Sequence, residues 1–368
     1  MKTKISRGRI RETKTSFGPT RHVGIARGLA EFRSGRPVVF RAKHSIIAMP
    51  IDGCDAARLN SFSRLSGTTP PSLGITGQRA RAIGIKTDMA LSVDLKSYPT
   101  IDEILSIAMH TSISQTLETR PAEAAVVAAI ELAKLSNRLP SVITLRFERT
   151  TGPKGLIQVE ASDVAKFAGY LARSLKIDAF STIPLDGASA ARLIVFRDAV
   201  GGNQTAVILG QPDFSQPVFV RVHSSCLTGD VFGSRRCDCG DQLKLALSRM
   251  RNCGGVILYL KQEGRGLGLV NKIRAYKLQE KGFDTFDANM LLGFEDDERD
   301  YQVAGRMLQL LGCTRVVLLS NNPSKFAALS RVGIKVYGNI PIQAPVTASN
   351  LRYLTTLAKR AGHYLEFV

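Results

Sequence analysis

Three of the chain's six cysteines fall within fourteen residues, in CLTGDVFGSRRCDCGDQL from Cys226 to Leu243. Thiolate is a soft ligand, and Cys-x₁₀-Cys-x-Cys brings three sulfurs to one Zn²⁺ if the intervening loop folds back. A structural zinc site adds a fourth protein ligand. A catalytic one leaves that position to water, which the metal makes acidic enough to attack near neutral pH. His223, three residues before Cys226, and Cys253, fourteen after Cys239, are candidates for closure, and spacing alone leaves the closed and open sites evenly matched. Asp238 and Gly240 favour an exposed turn over a core of unliganded thiols, whereas Cys54 and Cys313 read as ordinary core cysteines.

Further residues suited to a ligand follow in KQEGRGLGLVNKIRAY (261–276), GFEDDERDY (293–301) and SNNPSK (320–325), each at a strand end or helix start. Gly264, Gly266 and Gly268 let backbone approach a ligand closely. Arg265 and Lys325 suit phosphate, and Lys325 lies in the first turn of a helix opened by Pro323, where the dipole also favours anions. Any one of these reads equally well as solvated surface. Together they describe a pocket.

The elements that must position these loops form a regular alternation. PVFVRVHS reads as a strand, DQLKLALSRM as a helix and GGVILYL as a strand. The helices NKIRAYKLQEKG and ERDYQVAGRMLQLLG, the strand RVVLL, the helix PSKFAALSRVG and the strand IKVY complete it. That is a layered α/β domain, which holds ligands at its strand ends. In the first half, VGIARGLAEFRSG reads as a helix closed near Gly35 and Pro37–Phe40 as a strand, while 45–100 is irregular in pattern. An Ala-rich helix is expected over 121–137, with Pro121 in its first turn, and another over 159–175. A length of 368 residues suggests two domains. We divide the chain into a basic tail (1–25), a first domain (26–172) and a second (173–368).

With 44% apolar and 22% charged residues the composition is that of a soluble globular protein. Runs such as VVLL and GGVILYL fall far short of the roughly 20 apolar residues that span a bilayer. Few cysteines and no apolar signal segment argue for reduced thiols and a cytoplasmic protein. The net charge of +19 is uneven: residues 1–43 hold twelve Lys or Arg against Glu12 and Glu31, which is +10. Such a tail reads first as solvated chain, with nucleic-acid attachment or organelle targeting as the sharper alternatives.

RVHSSCLTGDVFGSRRCDCGDQL, YLKQEGRGLGLVNKIRAYKLQ, DTFDAN, LGFEDDERDY and LLSNNPSK, in this order, closely resemble the signature segments of GTP cyclohydrolase II, over about residues 175–368. The resemblance implies hydrolysis of GTP to 2,5-diamino-6-ribosylamino-4(3H)-pyrimidinone 5′-phosphate, formate and pyrophosphate, the first step of riboflavin biosynthesis. It further implies one catalytic Zn²⁺ per chain, Mg²⁺ on the GTP phosphates, and a homodimer. Carried over by match, Cys226, Cys237 and Cys239 are the zinc ligands. Arg221, Val222, His223, Ser224, Ser225, Gln242, Glu263, Gly264, Arg265, Thr285, Ser320 and Lys325 fall on GTP-contacting positions. Asp297 falls on the family's proton acceptor, Arg299 on its nucleophilic arginine at the α-phosphate, and Tyr276 on a tyrosine associated with completing the reaction. Ser225 stands where a larger polar residue is common, and Ser320 where threonine is usual.

In the first half, RGLAEFRSGRPVVF and LSGTTPPSLGITGQRARAIGI are similar to 3,4-dihydroxy-2-butanone 4-phosphate synthase, another α/β domain. Where that family carries a run of acidic residues for Mg²⁺, RAKHSIIAMPIDGCDA offers only Asp52 and Asp55, and the Gly-His-Thr-Glu segment is missing. The expectation is a degenerate domain. Two rivals remain from the sequence: a nucleic-acid-binding protein stabilised by a closed zinc site, and a related hydrolase that opens another ring or stops at a formylated intermediate.

Overall fold

The computed structural model describes residues 20–65, 70–96, 99–113, 116–146 and 153–365. Most of the basic tail lies outside them. The first helix, Thr20–Arg33, already begins within the stretch assigned to it.

Two mixed seven-stranded sheets make an α/β protein. The first contains β1 (Val38–Arg41), β2 (Ile46–Pro50), β3 (Ser72–Ile75), β4 (Leu91–Asp94), β5 (Thr119–Pro121), β6 (Ser141–Arg146) and β7 (Gln158–Glu160), in the order β5-β4-β3-β6-β2-β1-β7. The region 45–100, irregular by pattern, thus supplies three strands. All five residues of β2 are buried, so no alternation of apolar and polar residues reveals it. Pro121 ends β5 instead of opening a helix, and the Ala-rich helix runs from Ala124 to Leu135. The helix expected over 159–175 is broken into Ala161–Val164 and Phe167–Ser174 behind β7.

The second sheet contains β8 (Lys176–Leu185), β9 (Ala188–Arg197), β10 (Asn203–Leu209), β11 (Val218–Ser224), β12 (Gly255–Leu260), β13 (Arg315–Leu319) and β14 (Lys335–Ile340), in the order β14-β13-β11-β12-β10-β9-β8. Strands β14, β13, β11 and β12 are parallel, and β12 then pairs antiparallel with β10. The ends of β11, β12 and β13 therefore open side by side, where a parallel sheet exposes its ligand crevice. Among the described residues no helix is long and apolar enough to cross a membrane.

The two halves share one hydrophobic core. Leu267, Ala275, Leu278, Ala288, Leu291, Leu292 and Phe294 of the second half join the cluster built on Ile47, Leu73, Ile75 and Ile143. Arg79, fully buried, ties the seam together. Its guanidinium donates to the carbonyls of Ile107 (2.7 Å), Ser106 (3.1 Å), His110 (2.8 Å) and, across the boundary, Leu291 (2.8 Å). Thr76 Oγ1 donates to the carbonyl of Gly293 at 2.7 Å, and Lys134 pairs with Glu298 at 2.9 Å. Arg79→Ala would remove this donor from four carbonyls, those of Ile107 and Leu291 buried. It is expected to lower stability by about 3 kcal/mol or more, read as the shift in urea midpoint of the full chain.

Candidate functional site

Strand β11 ends in Ser224 and Ser225, and the chain then turns through a wide π-helical loop, Leu227–Val231, after Cys226. A side chain at the centre of that loop would crowd the thiols. A Cβ on Gly229 would lie 3.1 Å from the sulfurs of both Cys226 and Cys237, and one on Gly240 would lie 2.3 Å from the Gly229 carbonyl. Close packing of the two glycines folds the loop back onto the helix Cys239–Cys253. Cys226, Cys237 and Cys239 thereby place three sulfurs within 4.8 Å of one another. The Sγ atoms of Cys226 and Cys237 are 3.7 Å apart, and two sulfurs on a tetrahedral ion at about 2.3 Å would be separated by about 3.8 Å. The donor set fits zinc.

Neither candidate for closing the set joins it. The His223 ring stacks on Tyr259 with its Nε2 3.2 Å from Asp230, and burial holds the imidazole neutral. Cys253 is exposed at the far end of its helix, with its thiol on the Arg249 carbonyl. Among the described residues no fourth His, Cys, Asp or Glu joins the three sulfurs.

Lys272 flanks the set. Its Nζ lies 3.1 Å from Cys226 Sγ, 2.9 Å from Thr228 Oγ1 and 2.7 Å from Glu263 Oε1. Burial opposes the ammonium charge, but Glu263 and the Cys226 thiolate outweigh it and keep Lys272 protonated. The neighbouring sulfurs of Cys237 and Cys239, and then Lys272, drive the Cys226 thiol far below its ordinary value. The Cys226 thiolate in turn pushes the other two thiols upward. Glu263 also accepts from the Leu227 amide at 2.8 Å, so one carboxylate positions both the loop and the lysine.

The other end of the pocket is cationic. Arg221, 4% exposed, donates to the Leu319 carbonyl at 3.0 Å and pairs with Gln242. Lys325, 5% exposed, donates to the Val222 carbonyl at 2.8 Å, and burial together with Arg221 and Arg299 lowers its pKa well below an ordinary lysine's. Arg265 Nη1 donates to the Asp296 carbonyl at 3.2 Å. Gly264 and Arg265 both adopt positive φ, 62° and 61°, a strained turn for the arginine. Arg299 grips Asp297 through Nε (2.7 Å) and Nη2 (2.5 Å). Lys272 and Arg299 thus have carboxylate partners, whereas Lys325 and Arg265 are shown hydrogen-bonding only to backbone carbonyls. Basic groups without carboxylate partners, buried Lys325 and half-buried Arg265, suit an anion.

Most residues singled out from the sequence line this one cavity, including Arg221, His223, Ser224, Ser225, Gln242, Glu263, Gly264, Arg265, Tyr276, Thr285, Arg299, Ser320 and Lys325. Val222 is an exception: its side chain is buried in the core of the second sheet, and its carbonyl serves Lys325. Arg299 bears on a second expectation, that the helix ERDYQVAGRMLQLLG opens at Glu298. The helix starts only at Tyr301, and the arginine is buried in the loop before it. For Asp297, burial raises the carboxyl pKa, yet Arg299 more than offsets this and holds it low. Such a carboxylate is a weak proton acceptor and a strong anchor for the guanidinium.

Lys272 escaped the sequence reading, although it precedes Tyr276 by one helical turn and so shares its face. Tyr353, Leu357 and His363, which also line the cavity, escaped it for want of any motif.

Comparison with known proteins follows this geometry. The GTP cyclohydrolase II family model matches residues 178–341. The chain is 37% identical over 358 residues to GTP cyclohydrolase-2 of Xylella fastidiosa (strain 9a5c), covering 95% of this chain and 89% of that one. It is 36% identical over 361 residues to GTP cyclohydrolase-2 of Azospirillum brasilense, covering 92% and 93%. Among solved structures, a two-domain 3,4-dihydroxy-2-butanone 4-phosphate synthase from A. baumannii aligns over 87% of this chain and 99% of its own, with 14% identity and a TM-score of 0.33.

Proposed function

This chain belongs to the GTP cyclohydrolase II family, the enzymes that open riboflavin biosynthesis, and on that premise we propose how its pocket divides the work on GTP. Cys226, Cys237 and Cys239 would hold one zinc ion against the guanine ring. When bound, zinc supplies the Lewis acidity that activates water for attack at C8 and so for release of formate. Lys272 and Glu263 keep the Cys226 sulfur anionic and its loop in place. Tyr276, on the same helix face as Lys272, stands beside the thiols to complete ring opening.

Arg221, Arg265 and Lys325 would take the triphosphate, with Mg²⁺ neutralising part of its charge. Arg299 would reach the α-phosphate, held in aim by the two-point grip of Asp297. Because that grip holds the carboxyl pKa low, we assign Asp297 to orienting the arginine more than to accepting a proton. Ser320 keeps the hydroxyl that threonine would offer and accepts from the Asn322 amide at 3.1 Å.

The observation that carries this reading is the three-thiol set, joined by no fourth His, Cys, Asp or Glu among the described residues, in one cavity with the basic groups Arg221, Arg265 and Lys325. A nucleic-acid-binding protein with a structural zinc would need a closed set. The test is purified protein with GTP, zinc and Mg²⁺. Formate, pyrophosphate and the diaminopyrimidine are expected in equal amounts, and a formylated product in place of free formate would point to the truncated reaction.

For the first domain we propose that its synthase chemistry is lost. Asp52 pairs through Oδ2 with Arg138 (3.6 Å) and Arg274 (3.2 Å), and Asp55 caps the helix Ala56–Ser63, so both carboxylates already serve the fold, and two are few for a Mg²⁺ site. The full chain is therefore expected to form no 3,4-dihydroxy-2-butanone 4-phosphate from ribulose 5-phosphate above a no-enzyme control. We also propose a homodimer. Exposed Val231 and Phe232 on the cysteine loop and Val270 and Ile273 on the neighbouring helix offer apolar surface for it, and sedimentation of the purified chain decides the matter.

A further inference from the structure

The family match ends at residue 341, yet the cavity does not. Beyond it the chain crosses the pocket as the helix Leu351–Ala361 and ends its described course at residue 365. Tyr353, Leu357 and His363 line the same space as the three cysteines, Arg265, Arg299 and Lys325.

Polar catches hold this segment on both sides. On the β13 side, the Asn321 side chain pairs both ways with the backbone of Ile342 (2.6 and 2.8 Å), and the Asn321 carbonyl accepts from the Tyr364 amide at 3.0 Å. On the opposite side, Arg360 Nη1 bridges Asp284 (2.8 Å) and Asp287 (2.7 Å), and Arg352 donates to the Gly282 carbonyl at 2.6 Å. The Arg360 guanidinium lies 4.9 Å from the centre of the Phe286 ring, and Arg265 lies 5.3 Å from it. The closing segment and a phosphate-facing arginine thus share one aromatic support.

His363 is the informative group within it. Its Nε2 is buried and has no hydrogen-bond partner, an arrangement that costs stability unless a ligand supplies the bond. We propose that residues 351–364 form the closing wall of the GTP pocket and that His363 contacts the triphosphate. Burial first, then Arg265, Lys325 and Arg299, lower the imidazole pKa to about 3, so the ring enters the free enzyme neutral. A neutral imidazole keeps one N–H to donate to a phosphoryl oxygen, and does so without adding another charge to a crowded cationic pocket.

This inference rests on the assignment of the pocket to GTP, and one assay separates the two. Wild-type enzyme that releases no formate from GTP defeats that assignment. Given wild-type turnover, H363A is expected to raise KM for GTP about tenfold with kcat within threefold and zinc content unchanged. Competitive inhibition by pyrophosphate should weaken about tenfold while inhibition by guanosine stays the same, and H363Q, whose amide can still donate, should recover part of the loss. Unchanged KM, or equal weakening of pyrophosphate and guanosine, overturns the contact. Should H363A fail to fold, R360A tests the wall through its exposed catch. A rise of at least threefold in KM for GTP is expected, and an unchanged KM overturns the proposal.

Discussion

Cys237→Ser is expected to strip zinc and formate release from the protein together. Cys237 sits at the centre of the set, 3.7 Å from Cys226 Sγ, and its sulfur packs against Gly229. A serine hydroxyl stays neutral near pH 7 and is a poor match for a soft ligand position. With only two thiols left, no other His, Cys, Asp or Glu among the described residues joins the set, and His223 is committed to Asp230. Elemental analysis should find less than a tenth of the wild-type zinc, and formate should fall to background. Cys253→Ser, at the exposed end of the helix, is the matched control and should change neither. Full zinc occupancy in the Cys237 variant would remove that residue from the metal site.

Arg299→Lys carries the second large effect. The guanidinium is 9% exposed and uses two of its nitrogens on Asp297, which leaves its remaining donors for the pocket. A lysine ammonium cannot satisfy a two-point carboxylate grip and a phosphate from one atom on a different stem. The variant should fold and keep its zinc, yet lose pyrophosphate release at least about a hundredfold, roughly 2.7 kcal/mol of transition-state stabilisation. Turnover near the wild-type rate would move the phosphate chemistry to another group, with Lys325 and Arg265 next in line.

The second half was the more legible in sequence. Its strands β11, β12 and β13 are short apolar runs bounded by polar loops, and the residues that do chemistry stand in those loops at their ends. What escaped did so for physical reasons. Strands β2 and β3 are buried along their whole length, so the two-residue period that betrays a half-exposed strand is absent. The helix after Arg299 was read as starting three residues too early, at Glu298 instead of Tyr301. Lys272 was not singled out, because its partners Cys226 and Glu263 are separated from it by the protein fold or by a glycine-rich loop. The wall that carries His363 has no chemical signature of its own. Its position over the cavity is fixed by Asn321, Asp284 and Asp287, contacts that only the folded chain brings together.

The core that runs unbroken from β3 and β6 into the helices Leu269–Glu280 and Thr285–Leu291 bears on how this gene product can be cut and inherited. Whatever reaction the first half performs or has lost, severing it near residue 175 would turn Leu278, Leu291 and Phe294 outward and strand the Arg79 seam. The halves are expected to melt as a single cooperative unit, and a mutation in the first sheet is expected to loosen the helices it packs against. A module without chemistry of its own would therefore still be under purifying pressure, exerted through its neighbour's rate.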